Sequence, residues 1–213
     1  MTRQAAHVLR ACLRCPRLVQ NHVEVRAQYP DYHAAPVGSW GDPNPRIVIV
    51  GLAPGLHGAT RTGKAFVGDA SSRFLFAALY RQGLATSQLA EEAQLQRVRI
   101  TNVVKCLPPG NAPIAAEIAA CTDHLVNELN RYFPYKARRP RVLVTLGGIA
   151  HNAVCRQLKL NQAKFGHANI HKLTEQLHII SSYHPSRLNV NTGRLTEQMF
   201  DEVLCAAKRL AVD

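Results

Sequence analysis

Aromatic residues are scarce, at 6% of 213 residues with a single tryptophan, so apolar burial must come chiefly from Ala, Val, Leu and Ile. No apolar run approaches the roughly 20 residues of a membrane helix. The first 20 residues are broken by Arg3, Arg10, Arg14 and Arg17 where a secretory signal would be continuously apolar. These absences predict a soluble, cytoplasmic protein. Acidic residues are also few, 14 against 26 Lys and Arg, which leaves a formal charge of +12. Such an excess favours polyanionic partners, because neutralising phosphates releases condensed counterions. Internal repeats and low-complexity segments are absent too. Six cysteines in a reducing compartment are not read as three disulfides; they suggest a metal or cluster site plus buried thiols.

What is present suits one α/β domain over residues 1–213. Four short β-branched runs, at 46–50, 98–104, 141–145 and 177–181, read as buried strands. Helical patterns cover 71–84, 115–133, 150–160 and 196–212, and residues 1–18 read as a short helix carrying Cys12 and Cys15. Strands alternating with helices predict a three-layer α/β/α fold around a mainly parallel four-stranded sheet. In that architecture ligands bind beyond the carboxyl ends of the strands, and the unusual residues fall just there.

Cys12 and Cys15 form a C-x2-C pair, with Cys106 and Cys121 far along the chain. Only tertiary folding could gather the four, as ligands of zinc or of a [4Fe–4S] cluster, or they remain unlinked thiols. Cys155 and Cys205 sit among apolar helix neighbours and read as core. After the first strand, Gly51-Leu52-Ala53-Pro54-Gly55 lets the backbone turn and approach a ligand closely. The following Gly58–Ala65 run nearly matches a P-loop, but Ala65 replaces the hydroxyl that would reach magnesium. Phe66 offers an aromatic face near Asp69, which could equally cap the next helix. Asn102 and Asn111 each carry a donor and an acceptor able to read an amide-like ring edge; a turn role is as ordinary for Asn111. His184, at the last strand's end and followed by Pro185 and Ser186, is placed to stabilise an anion. Leu188 beside Arg187 suits an apolar wedge with a cationic guard.

Together these pieces resemble the uracil-DNA glycosylase superfamily, in its prokaryotic iron–sulfur branches. The shared pattern is an early C-x2-C, a G-x-A-P-G loop, a G-x-x-F-x-G-D segment, K-C-x-P-P-x-N and H-P-S, in that order over about residues 12–194. Leu52-Ala53, with Gly68-Asp69 and His184-Pro185-Ser186, is similar to the fifth family, type b; Thr101-Asn102-Val103-Val104 is more like the fourth. The resemblance implies a [4Fe–4S] cluster on Cys12, Cys15, Cys106 and Cys121, and a monomeric enzyme acting on DNA. It also implies hydrolysis of the N-glycosidic bond of a flipped uracil, with hypoxanthine, ethenocytosine and hydroxymethyluracil as further substrates.

Extruding a base costs a few kcal/mol before its bond is accessible. Gly51, Ala53 and Gly55 would admit it, Phe66 would stack on it, and Asn102 or Asn111 would read its edge. Bond cleavage puts negative charge on the base and positive charge on the sugar. His184 fits as a neutral hydrogen-bond donor to the base. Asp69 would hold the water or face the oxocarbenium, since Ala53 stands where other families place Asp or Asn. Ser186, Arg187, Leu188 and Asn189 would meet DNA. A catalytically inactive nucleic-acid-binding or redox-sensing protein of the same fold, and a hydrolase of free nucleosides, are the competing readings.

Overall fold

The computed structural model describes residues 9–212. Its centre is a six-stranded sheet. The strands are β1 (Trp40–Gly41), β2 (Ile47–Gly51), β3 (Val98–Asn102), β4 (Arg141–Leu146), β5 (Ile170–Lys172) and β6 (Leu177–Ser182), in the order β1-β3-β2-β4-β6-β5. The four predicted strands form its parallel middle. Antiparallel β1 and β5 close the two edges and correct the four-stranded count; at two and three residues they are too short to display alternation. β3 ends at Asn102 rather than at Val104, yet pairing continues in the loop, where Val103 and Val104 donate to the Gly51 and Leu52 carbonyls at 2.9 Å.

Alternation along the strands divides the core. Ile47, Ile49, Ile100, Val144 and Ile180 meet α3 (Ala70–Arg81) and α8 (Glu197–Leu210), through Leu75, Phe76, Leu79, Phe200, Val203 and Leu204. Val48, Val50, Leu143 and Ile179 face the opposite layer of α1 (Pro16–Gln28), α5 (Thr122–Tyr132) and α6 (Gly148–Gln157). The short α2 (Ala59–Thr62), α4 (Ala115–Ala120) and α7 (Arg187–Asn191) complete the helices of the described residues. Because β2 leads to α3 on one face and β4 to α6 on the other, the connections part between these neighbours. That is the switch point where such sheets open a crevice.

Two helical expectations are corrected. Of the helix expected over 1–18, residues 1–8 lie outside the described residues. The Cys12–Cys15 segment is irregular, and the helix starts at Pro16 with Cys15 as its N-cap. Proline suits a first helical turn because its missing N–H has no intrahelical partner there. The run 115–133 divides at Cys121, which closes α4 and opens α5; apolar spacing survives this junction, so periodicity does not reveal it.

Candidate active site at the carboxyl ends of the strands

A cleft of about 610 Å³ opens at the carboxyl end of the sheet. Its walls take residues from every loop singled out in the sequence: Ala53 and Gly55, Phe66 and Asp69, Asn102 and Asn111, His184, Ser186 and Arg187. Register explains the convergence. Gly51 pairs with Asn102 across β2 and β3, and Leu146 pairs with Ser182 across β4 and β6. Each chain therefore leaves the sheet at nearly the same height.

The floor is tightly built. Asn102 is 2% exposed, and its Oδ1 is a buried acceptor with no hydrogen-bond partner. A Cβ added to Gly51 would lie 2.5 Å from that oxygen and 2.5 Å from the Phe66 ring, so only glycine lets amide and ring meet there. Phe66 adopts φ 56°, a left-handed conformation that costs a bulky residue about 1–2 kcal/mol. The Trp40 indole N–H donating to the Ala65 carbonyl at 2.8 Å helps to hold it. The ring lies 5.8 Å, centroid to centroid, from His184 and tilted by 36°.

Asp69 does two things at once. Oδ1 accepts the Ser72 N–H at 2.8 Å and caps α3. Oδ2 turns toward the glycine loop, where a Cβ on Gly58 would collide with it. The capping and chemical readings of this carboxylate are thus compatible. Burial lowers the pKa of His184 against the opposing pull of Asp69, which favours a neutral imidazole. The Asn189 amide donates to the His184 carbonyl at 2.8 Å, so this side chain is committed within the fold. Ser186 caps α7 by accepting from Asn189 N–H, and Leu188 stands 72% exposed beyond it.

Asn111 also lines the cleft, but it is exposed and sits at φ 58° in a 3-10 turn, Pro109–Asn111. Among the polar wall residues, His57, Ser71 and Arg73 were not among the expected site residues. Arg73 lies four residues after Asp69 on the first turns of α3, a spacing that puts the two on one face. His57 hydrogen-bonds the Tyr32 hydroxyl through Nδ1 at 2.9 Å, a partner 25 residues away that no local pattern marks.

Cys12, Cys15, Cys106 and Cys121 line one small cavity away from the cleft, with no carboxylate in its wall. Burial, then the other three cysteines, raises the pKa of the Cys106 thiol, and the Lys105 N–H points at Cys121 Sγ, 3.3 Å away. Among the described residues no three His, Cys, Asp or Glu side chains are gathered as ligands of a single metal ion. Thiolates around one zinc, bound at about 2.3 Å, would sit closer together than those around a multi-iron cluster. His124 also lines this cavity, its Nε2 3.4 Å from Cys12 Sγ, and the four thiols beside it fit a soft iron–sulfur group. Cys155 is buried as expected, and Cys205 is half-buried.

Residues 39–208 match the family model described as the Uracil DNA glycosylase superfamily. The chain is 42% identical to a Type-5 uracil-DNA glycosylase of Pyrobaculum aerophilum, over 95% of this chain and 88% of that protein. It is 40% identical to the enzyme of that name from Mycobacterium leprae, covering 94% and 91%. Identity to the Thermus thermophilus Type-5 enzyme is 41%, covering 99% of both chains.

Proposed function

The chain belongs to the uracil-DNA glycosylase superfamily, and from that premise we infer how its cleft performs the reaction. It is a DNA-repair glycosylase that hydrolyses the N-glycosidic bond of uracil in DNA. The site assignment rests on the unpartnered Oδ1 of Asn102 beside Phe66. Uracil carries an N3–H donor flanked by carbonyl acceptors, so an extruded uracil stacked on Phe66 satisfies the buried oxygen with N3–H and accepts from the same amide. Cytosine presents an acceptor at N3 and would leave two acceptors facing each other. Among Asn102 and Asn111, the buried residue is the base reader; Asn111 at the rim meets the sugar–phosphate side.

The chemistry follows. The N1–C1′ electron pair leaves with the base, and negative charge spreads to its ring carbonyl oxygen. The neutral His184 imidazole donates a hydrogen bond there, and a donor set in place before the charge develops needs no reorganisation. Asp69 Oδ2 faces the sugar, stabilises the oxocarbenium and takes a proton from the water that adds to C1′. Asn189 holds the His184 backbone. Ser186, Arg187 and Leu188 lie against DNA, with Leu188 filling the gap left by the base. Hypoxanthine shares the N–H/C=O edge of uracil, and hydroxymethyluracil keeps it, so both are substrates. Ethenocytosine lacks that N–H and is cut more slowly.

A [4Fe–4S] cluster held by Cys12, Cys15, Cys106 and Cys121 would supply a cross-link between the start of α1 and the loop from β3 to α5. The enzyme works as a monomer in the prokaryotic cytoplasm. The deciding measurement is glycosylase activity of wild type and Asn102→Ala on duplexes containing uracil, hypoxanthine or ethenocytosine. Asn102→Ala should lose about 100-fold or more on uracil, as removal of a single aimed group does elsewhere, and wild-type activity in that variant would remove the base-reading assignment. Iron content and visible thiolate-to-iron absorption of the purified protein check the cluster; colourless protein containing zinc would refute it.

A further inference from the structure

Beneath the cleft floor lies a buried charge that bond cleavage does not use. Lys105 is 1% exposed. Its ammonium donates to Glu128 Oε2 at 2.6 Å, to the Thr101 hydroxyl at 2.7 Å and to the Asn102 carbonyl at 2.7 Å. Three donors thus meet three acceptors. Glu128 is satisfied in turn, with Oε2 also accepting from Thr101 Oγ1 at 2.6 Å and Oε1 from the Ser39 N–H at 3.0 Å. The backbone of Lys105 is equally committed. Its N–H points to Cys121 Sγ, and its carbonyl accepts from Val37 N–H at 2.7 Å. One residue therefore touches the cysteine cavity, α5, the segment before β1 and the peptide of Asn102.

Stability alone does not account for such a pair. Taking both ions out of water costs about as much as their attraction returns, and an apolar pair of similar volume commonly serves as well or better. What the pair does supply is direction. An ammonium fixed from three sides clamps the Asn102 carbonyl, and so limits how the Asn102 side chain can swing against Phe66 and Gly51. Resting on Asn102 as the base reader, we propose that Lys105, held by Glu128 and Thr101, is a positioning residue for base recognition that ties the reading amide to the cysteine site.

The test compares binding of two uncleavable probes by the full-length protein. One is a duplex carrying 2′-fluorinated deoxyuridine; the other carries a tetrahydrofuran abasic analogue, which has no base to read. The variants are Asn102→Ala, the apolar replacement Lys105→Met/Glu128→Leu, and the three substitutions combined. The apolar replacement should weaken uracil-probe binding by about tenfold and leave abasic-probe binding within about twofold. In the Asn102→Ala background the apolar replacement should bring little further loss, because a group that acts only through the amide has nothing left to position. Retained preference for the uracil probe, with that preference lost in Asn102→Ala, overturns the inference and leaves the base reader standing. Equal weakening of both probes overturns it as well, since that marks a merely structural role. Retained preference in Asn102→Ala removes the base reader and this inference together. If circular dichroism shows the double variant unfolded, Glu128→Gln, which keeps the shape, is judged by the same comparison.

Discussion

At the scale of single residues, the role proposed for Asp69 asks one carboxylate to serve both fold and chemistry. Asn is as good an N-cap as Asp, so Asp69→Asn should keep α3 capped and leave the melting temperature nearly unchanged. Losing the charge beside the sugar should still lower kcat by about 100-fold or more. Asp69→Ala should match that kinetic loss and also lose about 1 kcal/mol of stability with the cap. A melting curve and a kcat for each variant separate the roles, and full activity in either would remove Asp69 from the mechanism. His184 makes a prediction about pH. Burial lowers its pKa from the ordinary 6.5, so the neutral form predominates at pH 6.5 and gives way only in more acid solution. Activity should be level as pH falls to 6.5 and decline below, and a decline centred well above 6.5 would contradict the neutral-donor role. Gly51→Ala would push Cβ within 2.5 Å of both Asn102 and Phe66. It should abolish uracil cleavage while the protein still binds abasic DNA.

At the scale of elements, the short α7 carries Leu188, the proposed wedge, and α1 begins just after Cys15 of the proposed cluster site. Leu188 is 72% exposed and makes no core contact to lose. Leu188→Ala should therefore leave stability within about 0.5 kcal/mol. Its kcat/KM should fall about tenfold on duplex DNA and far less on single strands, where no base pair must be opened. Helix α1 is pinned to the loop after β3 by polar contacts. Arg17 grips Glu117 at 2.7 and 2.8 Å, Asn21 donates to the Leu107 carbonyl, and Leu107 N–H donates to His22 Nε2 at 3.3 Å. That last bond requires a neutral imidazole. Burial first, then Arg26 and His33, pushes His22 down from 6.5 to about 4. The unfolded chain takes up this proton at higher pH than the folded one. The contribution is thus complete above pH 6.5 and is lost as pH falls toward 4. His22→Gln should flatten this acid loss of melting temperature; an unchanged pH dependence would show that other groups cause it.

At the scale of the whole molecule, a formal charge of +12 favours association with the DNA backbone. Arg73 and Arg187 stand at the cleft, in line with a cationic rim. Binding of undamaged duplex should fall steeply with salt, by about 0.9 log units per log unit of salt for each phosphate neutralised. Cleavage rate at saturating enzyme should respond much less, because the reacting groups are shielded inside the cleft.

The parallel strands, their flanking loops and about half of the cleft residues were legible in the sequence. Buried β-branched runs and glycine turns are local signals, and the chemistry of an α/β sheet gathers at strand ends. Order alone could not distinguish Asn102, the last residue of β3, from Asn111 in the turn beyond it, since both lie toward the carboxyl end of the same strand. Only burial beside Gly51 and Phe66 separates them. Nor could it show that Asp69 caps and faces the cleft at once, or that Asn189 serves His184. Helix α1 stayed hidden because its first turn is announced only by Pro16 and its buried face is narrow, just Leu18, His22 and Val25. Lys105 opens the K-C-x-P-P-x-N stretch, but its partner Glu128 is 23 residues away and meets it only when α5 packs on β3. Composition and spacing determined a basic α/β protein with its chemistry in four loops. Tertiary packing decided which polar atoms are buried without a partner and which are spent on the fold, because burial depends on neighbours distant in the chain.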